Sequence, residues 1–149
     1  MRAAIDALDP VAREAGVLLE TAIDDEYDAR IAGDACMHVL LNLLENGIKY
    51  ARRDGIVRAS IERQDPYLCI HIDDDGPGVP ESERSNIFNL GERASAPART
   101  RGKGIGLAIV RTIVERAGGK VRVVDSPLGG ARFVVELPSI QAEMQPVLS

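Results

Sequence analysis

The distribution of glycine constrains this chain more than any other feature of its sequence. The chain has 149 residues and 14 glycines, and a cluster of these glycines falls between residues 76 and 106. Glycine concentrated between periodic segments indicates backbone that turns tightly or approaches a ligand. We therefore expect the glycine-rich side of the fold to carry a bound group. The clustered glycines are Gly76, Gly78, Gly91, Gly102, Gly104 and Gly106.

The periodicity of apolar residues predicts helices and strands around these glycines. Helical spacing predicts one helix capped by Asp34 that runs to about Tyr50 or Arg52, a short helix from Pro80 to about Phe88, and a third from Gly106 to Ala117. Period-two alternation predicts antiparallel hairpins. The predicted strands cover residues 17–23, 28–32, 56–64, 68–73, 120–125 and 131–137.

These segments together predict an α+β fold. We expect a two-layer sandwich in which a mixed, mostly antiparallel sheet of about five strands packs on three helices. Residues 1–9 resemble a linker that ends at Asp9-Pro10, residues 10–139 form one domain, and residues 140–149 form a frayed tail. Residues 89–103 have no periodicity, and such a long segment is typical of a mobile lid.

Composition excludes several classes of protein. Hydrophobic residues make up 45% of the chain and charged residues 28%, as in soluble globular domains. The net charge of -5 argues against nucleic-acid binding, which favours a basic surface. Cys36 and Cys69 are too few for a disulfide framework, so we expect reduced core thiols in the cytosol. Apolar runs are too short to span a bilayer.

The helix predicted from Asp34 to about Tyr50 carries a polar stripe. Asn42, Glu45, Asn46 and Lys49 are spaced so that they share one face. A solvated surface is the simpler interpretation of this stripe taken alone. The alternative is a site for an anion and a hard cation, because an amide oxygen can bind Mg²⁺ and a lysine can pair with phosphate.

A run of three aspartates and two glycines follows the strand predicted over residues 68–73. Strand alternation places Asp74 on the core side, where a carboxylate is costly unless a hydrogen-bond donor meets it. It would suit a buried N–H such as the exocyclic amine of adenine, with Gly76 and Gly78 turning the backbone beside the ligand. The alternative is a solvated carboxylate just past the end of the strand.

A third motif, G-K-G-I-G-L over Gly102–Leu107, directly precedes the last helix. Unpaired N–H groups at a helix N-terminus favour phosphate. The spacing matches neither the dinucleotide fingerprint nor a Walker A loop, and the alternative interpretation is a flexible hinge.

In this order and spacing, the three motifs resemble the catalytic, ATP-binding domain of bacterial sensor histidine kinases. Asn42–Tyr50 (N-L-L-E-N-G-I-K-Y) is similar to the asparagine box of that family, and Asp74–Gly78 (D-D-G-P-G) to its first glycine box. Ile87-Phe88 is similar to the phenylalanine box and Gly102–Val110 to the second glycine box. The resemblance covers residues 10–138 and is closest to PhoQ-like kinases.

The resemblance implies the Bergerat fold of gyrase, Hsp90 and MutL, and it implies roles for individual residues. Asp74 accepts from the adenine amine, and Asn46 with Asn42 holds Mg²⁺ at the phosphates. Lys49 contacts phosphate, Tyr50 packs beside the lid, and Arg93 reaches the γ-phosphate. Lys103 is a departure, because an ammonium replaces a polar side chain that can ligate the metal. The other implied ATP-binding residues are Gly76, Gly78, Gly102, Gly104, Gly106 and Leu107.

The chain lacks the family's phosphoacceptor, a histidine followed by Glu or Asp, because Val39 follows His38 and Ile72 follows His71. The resemblance therefore implies a monomeric catalytic domain that contains no catalytic residue itself. It implies two partners, a histidine-bearing dimerisation domain of the same kinase and a cognate response regulator. It also implies a cytoplasmic location below an inner-membrane sensor. The alternatives are a serine kinase of the anti-sigma type and a nucleotide-binding module that transfers nothing.

Overall fold

The structure is a computed structural model that describes residues 1–22, 33–89 and 106–139. Within these ranges, no helix is long and apolar enough to cross a lipid bilayer. The α-helices are α1 (Arg2–Glu14), α2 (Gly33–Tyr50) and α3 (Gly106–Arg116). The strands are β1 (Leu18–Thr21), β2 (Ile56–Gln64), β3 (Tyr67–Asp74), β4 (Lys120–Asp125) and β5 (Ala131–Pro138).

The strands form one mixed sheet in the order β1-β2-β3-β5-β4. β1 pairs with β2 in parallel, and the other neighbouring pairs are antiparallel. The predicted α+β sandwich with a mixed, mostly antiparallel sheet is confirmed. β3 lies at the centre between β2 and β5, so the residues at its carboxyl end are flanked by backbone on both sides.

The core lies between the sheet and the helices. On α2, apolar residues at helical spacing face the sheet, and Leu43 and Leu44 are fully buried. Val57 and Ala59 of β2 are also fully buried, as the alternation predicts. Phe88 packs edge-on against Phe133 with ring centres 6.1 Å apart, which joins the segment before residue 90 to the core.

The prediction of a linker over residues 1–9 is wrong. These residues belong to α1, whose buried side chains Ala4, Ile5, Leu8 and Ala12 recur at helical spacing and join the core. Asp9-Pro10 suggested a chain break because proline usually ends a helix. Here Pro10 lies inside α1 on its exposed side, and the helix is held by packing rather than by local propensity.

Other predictions need smaller corrections. Two separate 3₁₀ turns, Glu81–Glu83 and Asn86–Phe88, replace the single helix predicted after Pro80. Short 3₁₀ turns of this kind are frequent as connectors between longer elements. Asp34 lies in the first turn of α2 rather than before it, and its carboxylate accepts from the N–H of Ala35 at 2.9 Å. The strand predicted over 28–32, most of the predicted lid and the tail 140–149 lie outside the described residues.

The cysteines agree with the expectation of reduced core thiols. Cys69 is buried, Cys36 is half-buried, and both are free. Burial raises the pKa of both thiols, which leaves them protonated at neutral pH.

Candidate functional site

The three consecutive aspartates at the end of β3 have three different surroundings. Asp73 lies on the sheet face that points away from the helices, where it is almost fully buried. Its two oxygens accept from Nε and Nη2 of Arg132 at 2.7 and 3.1 Å, and Ser126 donates a third bond at 2.9 Å. This bidentate contact raises the pKa of Arg132. Asp73 is therefore a structural ion-pair partner.

Asp74 faces the core side of the sheet, as the strand alternation predicts. Its side chain is nearly inaccessible, with the residue 1% exposed, so a freely solvated carboxylate is excluded. The Oδ1 atom accepts hydrogen bonds from the N–H of Gly76 at 2.9 Å and from the N–H of Ala131 at 3.2 Å. Two donors on one oxygen fix the rotation of the carboxylate, so the orientation of Oδ2 is fixed as well.

Two glycines allow the backbone to close around Asp74. A Cβ atom on Gly76 would overlap the carbonyl oxygen of Tyr50, at the end of α2. A Cβ atom on Gly130 would overlap both Asp74 and the backbone nitrogen of Gly76, and the Gly130 N–H donates to the Asp74 carbonyl oxygen at 3.1 Å. The β4–β5 turn therefore packs directly on the carboxylate of Asp74.

The sequence analysis missed Gly130 and Ala131 as parts of this site. It predicted only strands over residues 120–125 and 131–137 in this part of the chain. The missing information is the β3–β5 register, in which Asp73 pairs with Arg132, so that Ala131 reaches the level of Asp74. Gly78, the second glycine of the D-D-G-P-G motif, has a φ of 73°. This left-handed backbone conformation favours glycine over residues with a side chain.

Asp75 connects the same strand end to α2. Its Oδ1 accepts from the N–H of Arg52 at 3.0 Å, and its Oδ2 accepts from the N–H of Ile56 at 3.2 Å. These two donors lie at either end of the turn that leads from α2 into β2. Asp75 therefore holds the last turn of α2 against the carboxyl end of β3, another contact that the sequence analysis did not find.

Replacing Asp75 by asparagine should lower the free energy of unfolding by about 1–2 kcal/mol. An asparagine side chain can accept only one of the two bonds, and its NH₂ group then faces a backbone N–H. Asp54→Asn is the matched control, because Asp54 is an exposed residue of the same turn with a φ of 58°, which asparagine tolerates. Urea unfolding of both variants measures the difference, and equal stabilities would contradict the role of Asp75.

The polar face of α2 meets the beginning of α3. The Asn42 amide nitrogen donates to the His38 carbonyl oxygen at 2.8 Å, which directs its other end away from its own helix backbone. The Asn42 Oδ1 atom lies beside Gly106, where a Cβ atom would be only 3.0 Å from it. An amide oxygen of α2 is thus next to the N-terminal turn of α3, which favours anions.

Two further residues of this face differ in exposure. The Asn46 side-chain nitrogen is buried and has no hydrogen-bond partner among the residues that the structure describes. A buried amide nitrogen is a hydrogen-bond donor, so this atom requires an acceptor beyond the described residues. Lys49 is exposed, with its ammonium 5.5 Å from the centre of the Tyr50 ring, and Tyr50 is buried.

The structure shows two contacts between elements that carry predicted site residues. The Asn42 amide oxygen of α2 lies beside Gly106 at the start of α3, and Gly76, two residues after Asp74, lies against the Tyr50 carbonyl at the end of α2. Arg93, Gly102, Lys103 and Gly104 lie outside the described residues. Among the residues with described positions, no cluster of three or more His, Cys, Asp or Glu side chains could hold a metal. The site residues that are described are Asn42, Asn46, Lys49, Tyr50, Asp74, Gly76, Gly78, Gly106 and Leu107.

Comparison with known protein families identifies the family to which this chain belongs. Residues 32–141 match the family described as histidine kinase-, DNA gyrase B- and HSP90-like ATPases. The chain belongs to this ATPase family. The match begins just before α2 and ends after β5, so it includes the asparagine face, Asp74 and the Gly130 turn.

Individual relatives place the chain among the sensor histidine kinases of this family. The virulence sensor histidine kinase PhoQ of Salmonella typhimurium is 37% identical over 131 residues, which cover 88% of this chain and 26% of that protein. The two-component sensor PhoQ of Pseudomonas aeruginosa is 36% identical over 135 residues, covering 91% of this chain and 29% of that protein. The chain therefore spans about a quarter of the length of these relatives.

Solved structures give the same result for the fold. A mycobacterial sensor histidine kinase, MprB, superposes with a TM-score of 0.78 at 29% identity, over 93% of this chain and 95% of that one. Full-length ShkA in complex with AMPPNP superposes with a TM-score of 0.78 at 28% identity, over 93% of this chain and 29% of that one. The chain is thus a histidine kinase ATPase domain with the corresponding α+β fold.

Proposed function

We propose that this domain binds ATP with Mg²⁺ and donates the γ-phosphoryl group to a histidine on a separate dimerisation domain. The observation that carries the proposal is the fixed, buried carboxylate of Asp74 on the side of the fold where the Asn42 amide meets the first turn of α3. A buried hydrogen-bond acceptor suits the amine of a base, and a positive helix end suits phosphates, so together they favour a nucleotide.

In this proposal, Asp74 selects the base. A carboxylate is an acceptor only, so it matches the exocyclic amine of adenine and opposes the carbonyl oxygen that guanine presents at the same edge. The N–H groups of Gly76 and Ala131 hold Oδ1 and so orient the carboxylate, and in this proposal Oδ2 is the atom that accepts from the base. Burial strengthens this discrimination, because an unmatched polar group cannot turn to water.

The phosphates then lie toward α3 and the exposed Lys49. The N-terminal turn of α3 and the Lys49 ammonium both favour negative charge. Asn42 and Asn46 are the residues that would hold Mg²⁺, because the ion prefers oxygen ligands and the Asn42 oxygen lies at the start of α3. When bound, Mg²⁺ neutralises charge on the phosphate oxygens. Arg93 and the amides of Gly102 and Gly104 complete the proposed phosphate contacts, with Lys103 beside them.

Transfer requires a histidine that this chain does not supply. His71 lies on the sheet face away from the helices, whereas Asp74 faces the core side, and burial together with Arg132 lowers the pKa of His71. His38 lies on α2 and lacks the acidic neighbour that the family's phosphoacceptor has. We therefore place the acceptor on a dimerisation domain of the same kinase. We further propose a cytoplasmic location for the domain and a response regulator that receives the phosphoryl group.

The test is to incubate the chain with γ-labelled ATP and Mg²⁺, with and without a dimerisation domain that carries the phosphoacceptor histidine. Transfer breaks the bond between the γ-phosphorus and the bridging oxygen, forms a phosphorus–nitrogen bond and releases ADP. We expect acid-labile label on the added domain and no label on this chain alone.

Each other outcome contradicts the proposal in a distinct way. Acid-stable label on a protein substrate would indicate a serine kinase. ATP binding without label on any acceptor would indicate a module that transfers nothing. Label on His38 or His71 of the isolated chain would show that the acceptor lies within this domain.

A further inference from the structure

A second concave surface lies on the other flank of α2. It is a groove of about 450 Å³ between α1 and the last turns of α2, which we call the α1–α2 groove. Ile48 lines it and is 160° around the helix from Asn46, at 100° per residue. The groove shares Glu45 and Lys49 with the polar stripe of α2, whereas neither Asn42 nor Asn46 lines it.

The floor of the α1–α2 groove is apolar. Val11 and Ala15 of α1, Val17 before β1, and Ile48 of α2 line it. Val11 is 48% exposed, which is unusual for a large aliphatic side chain next to a core, whereas Val17 and Ile48 are almost buried. Val11 and Ala15 thus offer hydrocarbon that water contacts and that a partner could cover, above the buried Val17 and Ile48.

The rim of the same groove is cationic. Lys49, Arg52 and Arg53 line its edge together with a single carboxylate, Glu45. All four side chains are exposed, and neither Arg52 nor Arg53 forms an ion pair in the described part of the chain. This local excess of positive charge contrasts with the net charge of -5 of the whole chain.

We propose that the α1–α2 groove docks an acidic amphipathic helix of a partner protein. An apolar stripe on such a helix covers Val11 and Ala15, and carboxylates beside the stripe pair with Arg52 and Arg53. The groove is open to solvent and is lined by residues of both α1 and α2, which suits a rod-shaped partner better than an enclosed small molecule. A flat anionic membrane would meet the cationic rim but would not follow the concave surface between α1 and α2.

The test uses a fluorescein-labelled peptide of about 15 residues that carries leucines at helical spacing with glutamates beside them. Comparison probes are the same peptide with lysines in place of the glutamates, and vesicles of phosphatidylglycerol and phosphatidylcholine. Fluorescence anisotropy with the full chain should give at least about tenfold tighter binding of the acidic peptide, because only that peptide complements the rim.

Two variants locate the binding surface. Arg53→Glu should weaken binding of the acidic peptide by about fivefold or more, and Val11→Asp by about tenfold, because one reverses the rim charge and the other puts charge in the floor. Arg116→Glu is the matched control, since it reverses an exposed arginine in the last turn of α3. Circular dichroism confirms that the variants are folded, and ADP titration should give wild-type affinity for Arg53→Glu.

Three results would overturn the inference. These are no binding of the acidic peptide to the wild-type chain, equal affinity for the acidic and lysine peptides, or an equal effect of Arg53→Glu and Arg116→Glu. Vesicle binding that Arg53→Glu abolishes, without peptide binding, would assign the surface to a membrane instead. None of these outcomes bears on nucleotide binding, which the ADP titration measures separately.

Discussion

Replacing Asp74 by asparagine is expected to weaken ADP binding by about 10- to 100-fold, and to shift the preference of the site toward GDP. The N–H groups of Gly76 and Ala131 both donate to Oδ1, so an asparagine must keep its oxygen at that position. Its NH₂ group then occupies the position of Oδ2. There it opposes the amine of adenine and matches the carbonyl oxygen of guanine.

The control for this variant is Asp73→Asn, which makes the same chemical change one residue earlier. Asp73 contacts Arg132 and Ser126 on the opposite face of the sheet, so its replacement should leave the ratio of ADP to GDP affinity unchanged. Calorimetric titration of both nucleotides into both variants gives the two ratios. An Asp74→Asn chain with the wild-type ratio would remove Asp74 from base recognition.

Replacing Asn46 by alanine is expected to remove most of the benefit that Mg²⁺ gives to nucleotide binding, with an approximately tenfold loss of ATP affinity in Mg²⁺. In EDTA, the variant and the wild-type chain should bind alike. The fold should remain intact, because the buried Asn46 nitrogen has no protein partner in the described ranges, so no bond among them is lost.

Glu45→Ala is the matched control for Asn46→Ala. Glu45 is the preceding residue of α2, is exposed, and lines the α1–α2 groove, which Asn46 does not. Its replacement should not change the ratio of affinities with and without Mg²⁺. If Asn46→Ala behaves in the same way as Glu45→Ala, Asn46 is not a ligand for the metal.

The elements with strong periodicity could be predicted from the sequence, because their burial pattern is a local property. β2 has the predicted bounds, and α2 and α3 lie within about two residues of theirs. α1 could not be predicted in the same way. Only the core contacts of Ala4, Ile5 and Leu8 outweigh the effect of Pro10, and those contacts depend on where the helix packs.

The same distinction applies to the candidate site. Asn42, Asn46, Asp74 and Gly76 could be found because each lies in a short motif whose spacing has a physical meaning. Ala131 contacts a carboxylate 57 residues away, and Asp75 contacts the backbone of Arg52 23 residues away. These contacts depend on strand register and on the path of the α2–β2 turn, neither of which is encoded in a local pattern.

The central claim is that the buried acceptor at Asp74 makes this domain an adenine-nucleotide site. Titration calorimetry of the unmodified chain with ADP and with GDP, both with Mg²⁺, tests it most directly. We expect ADP to bind at least about tenfold more tightly than GDP, because an unmatched buried acceptor costs more than about 1.4 kcal/mol. Equal affinities for ADP and GDP, or no binding of either, would contradict the account.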